Sequence, residues 1–430
     1  MDWSDSLNEY QKLVLRMNKP RVVIDNAVCA TATLVKVDSA MQDEILLETV
    51  QMLSDLDLCI EKAYISSDGR WFMNVFYVTD RYGQKVADEN VISFIEQSFC
   101  AGEEAALISL GRRHSLATIE IAGADRAGLL SDIFTVLSDL GCGIAEAKLW
   151  THNGRIAAII SIEENGSKPV EESDKIHSIQ TRLRNIVDGG TTALASGGAF
   201  TDRRLHQMMY AIRDYEVARS GEPSVSVQSC AERGYSIVIV QCHDRSKLLF
   251  DVICTLTDMK YVVFHGTVNT NDNRAYLEFC IRHSDGKPIN SDAESQRLIQ
   301  CLQAAIYRRS FEDLRLELAV HQHGLLAEAT RAFRENGLSV TRAEVSCKCE
   351  AAANVFYVAG TAGNPVDSKT IDAVIELIGN DRLKVCPVNT NRTAQPSSVA
   401  EETPAAALLL YLSSLVKRNL FNMGLIKSCS

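Results

Sequence analysis

The chain has 430 residues and carries 44 Lys and Arg against 55 Asp and Glu, a formal net charge of −11. A chain of this length predicts several domains with buried cores, and its acidic balance argues against a protein that holds nucleic acid through phosphate contacts. It contains no run of 18 apolar residues, which excludes a transmembrane helix. The N-terminus lacks the basic and apolar regions of a secretory signal, so we expect a cytoplasmic or nuclear protein that is not secreted.

The sequence repeats itself. Residues 53–66 and 137–150 share Leu-Ser-Asp-Leu followed by Ile and Ala, at an offset of 84. Asn-Val-Phe-Tyr-Val occurs at 74–78 and again at 354–358, at an offset of 280. A further copy aligns with the first at an offset of 203. Four copies of one unit are the simplest description.

Each copy shows the same succession of patterns. An alternating strand is followed by a helix with a one-sided apolar stripe, which in repeat 2 consists of Leu129, Leu130, Ile133, Phe134, Leu137 and Leu140. A hairpin comes next, with turns at Asp68-Gly69, Asn153-Gly154 and 271–273, and a second helix and a short strand close the unit. The pattern predicts an α+β fold of four tandem ferredoxin-like βαββαβ units. Strands such as 75–78 are apolar on both sides, so we expect the repeats to pair as two modules within the chain.

The repeats and the segments between them divide the chain. We assign them as follows: an N-terminal helix at 1–28, repeat 1 at 29–105, repeat 2 at 113–190, a linker and helix at 191–222, repeat 3 at 232–309, repeat 4 at 310–389, and a linker with an apolar tail at 390–430. An amphipathic helix is predicted at 203–219. The tail is too short in apolar residues to cross a bilayer, and we expect a helix docked on the repeats or on a partner chain, with contact to a membrane surface as the alternative.

Cysteine and histidine residues give no sign of a metal site. The thirteen cysteines are scattered, and only Cys347 and Cys349 form a tight pair, 24 residues after His323 in the segment His321-Gln322-His323. This spacing matches no common zinc module. We therefore expect reduced thiols, no metal and no cofactor.

The turn between the first strand and the first helix differs from what packing alone requires. Repeat 2 reads Asp125-Arg126-Ala127-Gly128 at this place, and repeat 3 reads Asp244-Arg245-Ser246-Lys247. A glycine at a helix N-terminus lets a carboxylate reach free backbone N–H groups. The alternative is structural: the aspartates cap their helices and the glycine relieves a tight turn. The residues alone leave both open.

Asp-Arg-Ala-Gly-Leu-Leu after a strand resembles the Asp-Arg-Pro-Gly-Leu-Leu signature of ACT domains, which are small-molecule-binding regulatory modules. With the repeated Asn-Val-Phe-Tyr-Val and the segment 333–344, the fourfold pattern resembles the plant ACT-domain-repeat (ACR) proteins, which have four ACT domains. The resemblance implies binding of an amino acid between domains and a role in amino-acid or nitrogen sensing. Repeat 1 departs from the signature in lacking the Asp-Arg pair and the glycine, and repeat 4 has His-Gln-His before Gly324.

The resemblance also implies where the ligand lies, between the first turn of one repeat and the start of the second strand of its partner. The implied ligand-binding residues are Asp125, Arg126, Gly128, Leu129, Leu130, Ile144, Asp244, Arg245, His321, His323, Gly324 and Leu325. We expect repeat 2 to bind most strongly, because Gly128 leaves space and Asp125 can accept a hydrogen bond from an ammonium group. Repeat 4 is expected to bind more weakly and in a pH-sensitive way. Glu44 in repeat 1 is expected to repel a carboxylate. Lys247 in repeat 3 could attract one, but its long stem would fill the space that a glycine leaves open.

Three other functions compete with a non-catalytic amino-acid sensor. An enzyme is disfavoured because the phosphate-loop, zinc-protease and serine-hydrolase motifs do not occur. RNA-recognition domains share the βαββαβ topology, but the chain lacks their aromatic signature and their basic charge. A protein-interaction scaffold of degenerate repeats without a ligand stays open as the alternative. The expected partners are a free amino acid and, through the exposed sheet faces, a second copy or a regulatory protein, but not nucleic acid.

Overall fold

The computed structural model describes residues 20–40, 45–67, 71–101, 116–164, 168–169, 173–187, 190–195, 201–216, 223–309, 314–319, 324–346, 354–360 and 366–386. The strands are β1 (Arg21–Asp25), β2 (Thr33–Ala40), β3 (Cys59–Ser67), β4 (Trp71–Thr79), β5 (Ala117–Ala124), β6 (Cys142–His152), β7 (Arg155–Glu164), β8 (Lys168–Pro169), β9 (Thr191–Ala195), β10 (Ser224–Cys230), β11 (Tyr235–His243), β12 (Tyr261–Asn271), β13 (Arg274–His283), β14 (Leu314–Leu318), β15 (Leu338–Ser346), β16 (Asn354–Gly360) and β17 (Leu383–Cys386). The helices are α1 (Ile45–Asp55), α2 (Glu89–Ala101), α3 (Leu129–Asp139), α4 (Ser173–Ile186), α5 (Thr201–Ala211), α6 (Leu248–Asp258), α7 (Asp292–Tyr307), α8 (Leu325–Glu335) and α9 (Ser368–Ile378).

Several predicted features lie outside the described residues. They are the turn at Asp68-Gly69, the segment from His321 to His323, the pair Cys347 and Cys349, residues 1–19 of the predicted N-terminal helix, and the tail beyond residue 389.

The repeats pair with non-adjacent repeats and form two compact units. Unit 1 comprises the described residues within 20–101 and 223–302, and unit 2 comprises those within 116–216 and 303–386. In unit 1, repeats 1 and 3 share one antiparallel sheet in the order β1-β2-β4-β3-β12-β13-β11-β10. In unit 2, repeats 2 and 4 share a sheet in the order β17-β14-β16-β15-β6-β7-β5-β9. The expected ferredoxin-like α+β repeats and their pairing into two modules are confirmed.

The second strands of the two repeats form the seam of each sheet. In unit 1, β3 runs antiparallel to β12, with Ala63 opposite Val268. In unit 2, β6 runs antiparallel to β15, with Ala147 opposite Val345. At this seam the edge strand of one repeat is hydrogen-bonded to the edge strand of the other. The two repeats therefore form one continuous sheet, and neither has an unpaired edge there.

The first helices lie side by side on one face of each sheet, α1 beside α6 and α3 beside α8. The apolar stripe predicted for repeat 2 is buried apart from Leu140, which is partly buried, and Ile133 and Leu137 are fully inaccessible. Its cluster also includes Leu325 and Phe333 from repeat 4. Burying one such side chain stabilises by roughly 1.5–3 kcal/mol, and here each repeat supplies part of the surface that buries the other.

In each repeat an additional strand pairs with the outer edge of the first strand. This strand lies at the C-terminal end of repeats 2 and 4 and at the N-terminal end of repeats 1 and 3. In repeats 2 and 4 it follows the second helix, where β9 pairs with β5 and β17 pairs with β14. In repeats 1 and 3 it precedes the first strand, where β1 pairs with β2 and β10 pairs with β11. The helix predicted over 21–25 and the linker predicted over 191–195 were therefore wrong. In every repeat the first strand has an outer edge with unpaired N–H and C=O groups, and an antiparallel strand can satisfy them. That strand can come from the segment before the first strand or from the segment after the second helix.

In each of the four repeats, the second strand (β3, β6, β12 or β15) is interrupted by a β-bulge at the same equivalent position. The register shifts fall between Ile60 and Lys62, between Ile144 and Glu146, between Val263 and His265, and between Val340 and Arg342. A bulge leaves one residue unpaired, bends the strand and changes which face its side chains take. The bulge thus fixes the direction of the residue just before it, which lies at the start of the strand.

In unit 2 the opposite face of the sheet is covered by α5, the amphipathic helix that the sequence places at 203–219. The helix ends earlier than predicted, at Ala211. Leu205 and Met209 of α5 are fully buried against Trp150 and Ile159 of the sheet. The sheet of unit 2 thus has a core on each of its faces.

Buried ion pairs lie at both ends of α5. The carboxylate of Asp214 accepts hydrogen bonds from Nε and Nη2 of Arg308 at 2.6 and 2.7 Å and lies 3.1 Å from Nδ1 of His152. Burial alone raises the pKa of Asp214, but Arg308 and His152 outweigh burial and hold the pKa below its usual value. Arg309 donates to Asp202 at 2.9 Å. These bonds tie α5 and the segment after it to the end of α7.

Candidate functional site

The turns between first strand and first helix end on a left-handed residue in repeats 2, 3 and 4. The φ angles of Gly128, Lys247 and Gly324 are 82°, 61° and 83°. These left-handed residues are themselves the N-cap residues of the three helices, and none of them makes a side-chain capping bond. A left-handed backbone costs an L-residue about 1–2 kcal/mol. The primary role of Gly128 and Gly324 is therefore to adopt the left-handed backbone that the turn requires. Lys247 adopts the same conformation, so the turn does not strictly require glycine.

The backbone of Asp125 and the backbone of Asp244 are each hydrogen-bonded to the hairpin turn of the same repeat. The N–H of Asp125 donates to the carbonyl of Gly154 at 2.9 Å, and the N–H of Asp244 donates to the carbonyl of Asn273 at 2.9 Å. Both hairpin residues, Gly154 and Asn273, have positive φ. The carboxylates are thus placed by backbone bonds, close to the start of the first helix.

The turn of repeat 3 borders a cleft, which we call the repeat 3 cleft. The lining residues come from the turn and first helix of repeat 3, from the end of α1 and start of β3 in repeat 1, and from the hairpin of repeat 3: Asp244, Arg245, Ser246, Lys247, Leu248, Leu249, Phe250, Ser54, Leu58, Cys59, Ile60, Val268, Thr270 and Leu277. The cleft therefore lies where two repeats of unit 1 meet.

The repeat 3 cleft carries opposite charges beside a helix N-terminus. Asp244 and Lys247 both line it, and so do Leu249 and Phe250 of the first turn of α6. The N–H groups of a first helical turn have no partner within the helix and favour negative charge. A small molecule with a carboxylate and an ammonium group therefore finds a complement for each charge here.

The second charged residue of the turn has a structural partner. Nη2 of Arg245 lies 2.7 Å from Oδ2 of Asp251, and the two side chains are 4% and 0% exposed. In repeat 2 the equivalent pair, Arg126 and Asp132, is also 2.7 Å apart but is open to solvent. The arginine of the signature thus braces the turn against the first helix, whatever else it touches.

The turn of repeat 2 is filled. A Cβ atom added to Gly128 would collide with Cδ of Arg334 from α8 and would lie 2.9 Å from its Nη1. The space that we expected above Gly128 is therefore taken by a side chain of repeat 4. Burial raises the pKa of Asp125 to about 6, while hydrogen bonding and charge from Arg126 lower it less.

The turn of repeat 4 is described only from Gly324 onward, so His321 and His323 lie outside the described residues. A Cβ atom on Gly324 would stand 3.9 Å from Oγ of Ser138 in α3, in ordinary contact. The expected weaker, pH-sensitive binding by repeat 4 stays a prediction.

The apolar residues of the predicted site belong to the core. Leu129, Leu130 and Leu325 are buried at the starts of α3 and α8. Ile144 is 7% exposed, directly before the bulge of β6. Its equivalent in repeat 1, Ile60, lines the repeat 3 cleft. The position predicted from Ile144 thus borders a cleft in the copy formed by repeats 1 and 3.

Sequence reasoning missed the residues that repeat 1 contributes, Ser54, Cys59 and Ile60. They follow from knowing that repeat 3 pairs with repeat 1, and no local pattern in the chain carries that information. Within the described ranges, no helix is long and apolar enough to cross a membrane. In the same part of the chain, no group of three His, Cys, Asp or Glu side chains is placed to hold a metal ion.

Comparison with known proteins gives family matches along the chain. Residues 28–106 match the ACR family N-terminal ACT domain, residues 115–187 match the ACT domain, and residues 224–319 match the ACR9-like, ACT-like domain. The chain is 51% identical to ACT domain-containing protein ACR8 of Arabidopsis thaliana and 44% identical to ACR4 of the same plant, over 99% of both chains in each case. A stretch covering 18% of this chain and 8% of the relative is 37% identical to a bifunctional uridylyltransferase/uridylyl-removing enzyme of Azospirillum brasilense.

Proposed function

Because the chain belongs to the ACR family of ACT domain-containing proteins, we propose that it is a non-catalytic regulatory protein that binds a free amino acid where two ACT repeats meet. The proposed role is amino-acid or nitrogen sensing. The ligand would be read out as a change in the packing of one repeat on another, since a ligand that contacts both repeats favours the arrangement in which both contacts are made.

The proposed binding site is the repeat 3 cleft. The carboxylate of the amino acid would lie against the first turn of α6 and near Lys247, and its ammonium group would lie near Asp244. The side chain of the ligand would face Cys59 and Ile60 of repeat 1, which line the same cleft. The observation that carries this proposal is the meeting of Asp244, Lys247 and a helix N-terminus in one cleft between two repeats.

Arg245 would act as a positioning residue in this site. Its buried pair with Asp251 holds the turn against α6, and a rigid turn loses less entropy when a ligand binds. Binding by the corresponding residues of repeat 4 remains a prediction, and the proposal places no ligand at the turn of repeat 2, where Arg334 stands over Gly128.

Thermal unfolding of the full chain with each proteinogenic L-amino acid in turn tests the proposal. A ligand that binds only the native state stabilises by about 2.7 kcal/mol at a concentration of one hundred times Kd, so at least one amino acid should raise the melting temperature. Asp244→Asn should abolish this rise. Asp125→Asn, the same change in repeat 2, is the matched control and should leave the rise intact. If no amino acid shifts the melting temperature, the scaffold alternative is the better description.

A further inference from the structure

The next-to-last residue of the first helix faces the turn of the opposite repeat. Ser54 in α1, Ser138 in α3 and Arg334 in α8 occupy this equivalent place, related by the offsets of 84 and 280. Ser54 lines the repeat 3 cleft, and Ser138 stands opposite Gly324. The chain thus places a short hydroxyl side chain at two turns and a long guanidinium side chain at a third.

At the third turn, the stem of Arg334 as well as its charged head occupies the space. Both Cδ and Nη1 lie where a side chain on Gly128 would stand. A carboxylate lies near the guanidinium: its Nη1 is 3.8 Å from Oδ1 of Asp132, whose other oxygen pairs with Arg126 at 2.7 Å. Asp132 thus offsets the repulsion between a cation and a helix N-terminus.

From this geometry we infer that the side chain at this place decides which turns admit an amino acid, with Arg334 closing the turn of repeat 2 and Ser54 leaving the repeat 3 cleft open. The inference rests on the proposed function and adds the residue that sets the number of occupied sites. A serine leaves room beside the helix N-terminus for the main-chain groups of an amino acid, whereas the arginine stem fills that room. The turn with the best ACT signature is then the closed one.

Exchanging the two side chains tests the inference. The variants are Arg334→Ser, which removes the stem, Arg334→Met, which keeps a stem without charge, and Ser54→Arg, which places the arginine at the repeat 3 cleft. Arg331→Ser, at an exposed arginine of the same helix, is the matched control. Calorimetric titration of each full-length variant with every proteinogenic L-amino acid in turn gives the number of molecules bound per chain.

We expect Arg334→Ser to bind one more amino acid per chain than the wild type, and Arg334→Met and Arg331→Ser to match the wild type. Ser54→Arg should lose the repeat 3 site, and if it fails to fold, the three variants at 334 and 331 decide alone. Unchanged stoichiometry in Arg334→Ser, or a lost site, overturns the inference while wild-type binding upholds the proposed function. Binding by Arg334→Ser but not by the wild type would support the inference and contradict the proposed function. Absence of binding in both overturns both.

Discussion

A single asparagine shows how repetition copies a residue into different settings. Asn74 and Asn354 open the two copies of Asn-Val-Phe-Tyr-Val, and both are fully buried on the helix side of the sheet. Within the part of the chain that the structure describes, neither amide atom of Asn74 has a hydrogen-bond partner. Asn354 donates from Nδ2 to the carbonyl of Leu318 at 3.4 Å. Repeat 3 has Leu277 at the equivalent place, also fully buried.

We predict that Asn74→Leu stabilises the protein. Leucine has the same branching and number of heavy atoms as asparagine, and it removes the desolvation cost of an unbonded buried amide, about 1–3 kcal/mol. Asn354→Leu is the matched control and should gain less, because it also removes a hydrogen bond. Urea unfolding of both variants measures the difference, and a loss of stability in Asn74→Leu would contradict the account of its surroundings.

Asp125 gives a prediction about pH. Since burial raises its folded pKa to about 6, the folded state binds a proton that the unfolded state has released. Stability therefore falls as pH rises from the ordinary aspartate range through about 6, and this contribution is absent from Asp125→Asn. An NMR titration of the Asp125 carboxyl in the full chain should show a midpoint near 6. A midpoint at the ordinary value would show that the turn is better hydrated than its packing indicates.

At the scale of elements, helix α5 shows what buried charge does for a docked segment. The helix covers one face of the unit 2 sheet, and Asp214 just beyond it is inaccessible to solvent and bonded twice by Arg308. A buried pair of this kind is costly to break, because the remaining charge stays buried without compensation.

We predict that Asp214→Ala lowers the free energy of unfolding by about 3–5 kcal/mol, since it leaves the guanidinium of Arg308 buried. Glu216→Ala, two residues away, removes an exposed pair with Arg213 and should cost less than about 1 kcal/mol. Denaturant unfolding of both variants gives the comparison. Equal small effects would mean that water reaches Arg308 and that the network does not hold α5 in place.

The sequence predicts the elements well and their partners poorly. Periodicity identifies the first helices, because a helix packed on a sheet needs a stripe such as Ile133 and Leu137. It misses β9, because Thr191–Ala195 is composed like a linker and becomes a strand only by pairing with β5. It could have found the bulges, since Ile144, Ala147 and Leu149, which belong to one core cluster, are spaced by three and then by two, and this marks a change of phase.

At the scale of the whole molecule, the pairing of repeats determines the candidate site. The Asp-Arg signature is local, so the sequence finds the turns. Whether a turn is open depends on the side chain opposite it, which is Arg334 for Gly128 and Ser54 for the turn of repeat 3. Because repeat 1 pairs with repeat 3 and repeat 2 with repeat 4, these opposing residues are distant from the turn along the chain. The sequence around a turn therefore does not indicate which side chain lies opposite it.

The central claim is that an amino acid binds between repeats 1 and 3, and hydrogen exchange tests it most directly. Amide exchange of the full chain is followed by mass spectrometry with and without the L-amino acid that gives the largest thermal shift. The account predicts slower exchange in residues 54–60 and 244–250, which come from the two repeats that line the repeat 3 cleft, and unchanged exchange in 128–134. Protection confined to 128–134, or no protection in any of these segments, would contradict it.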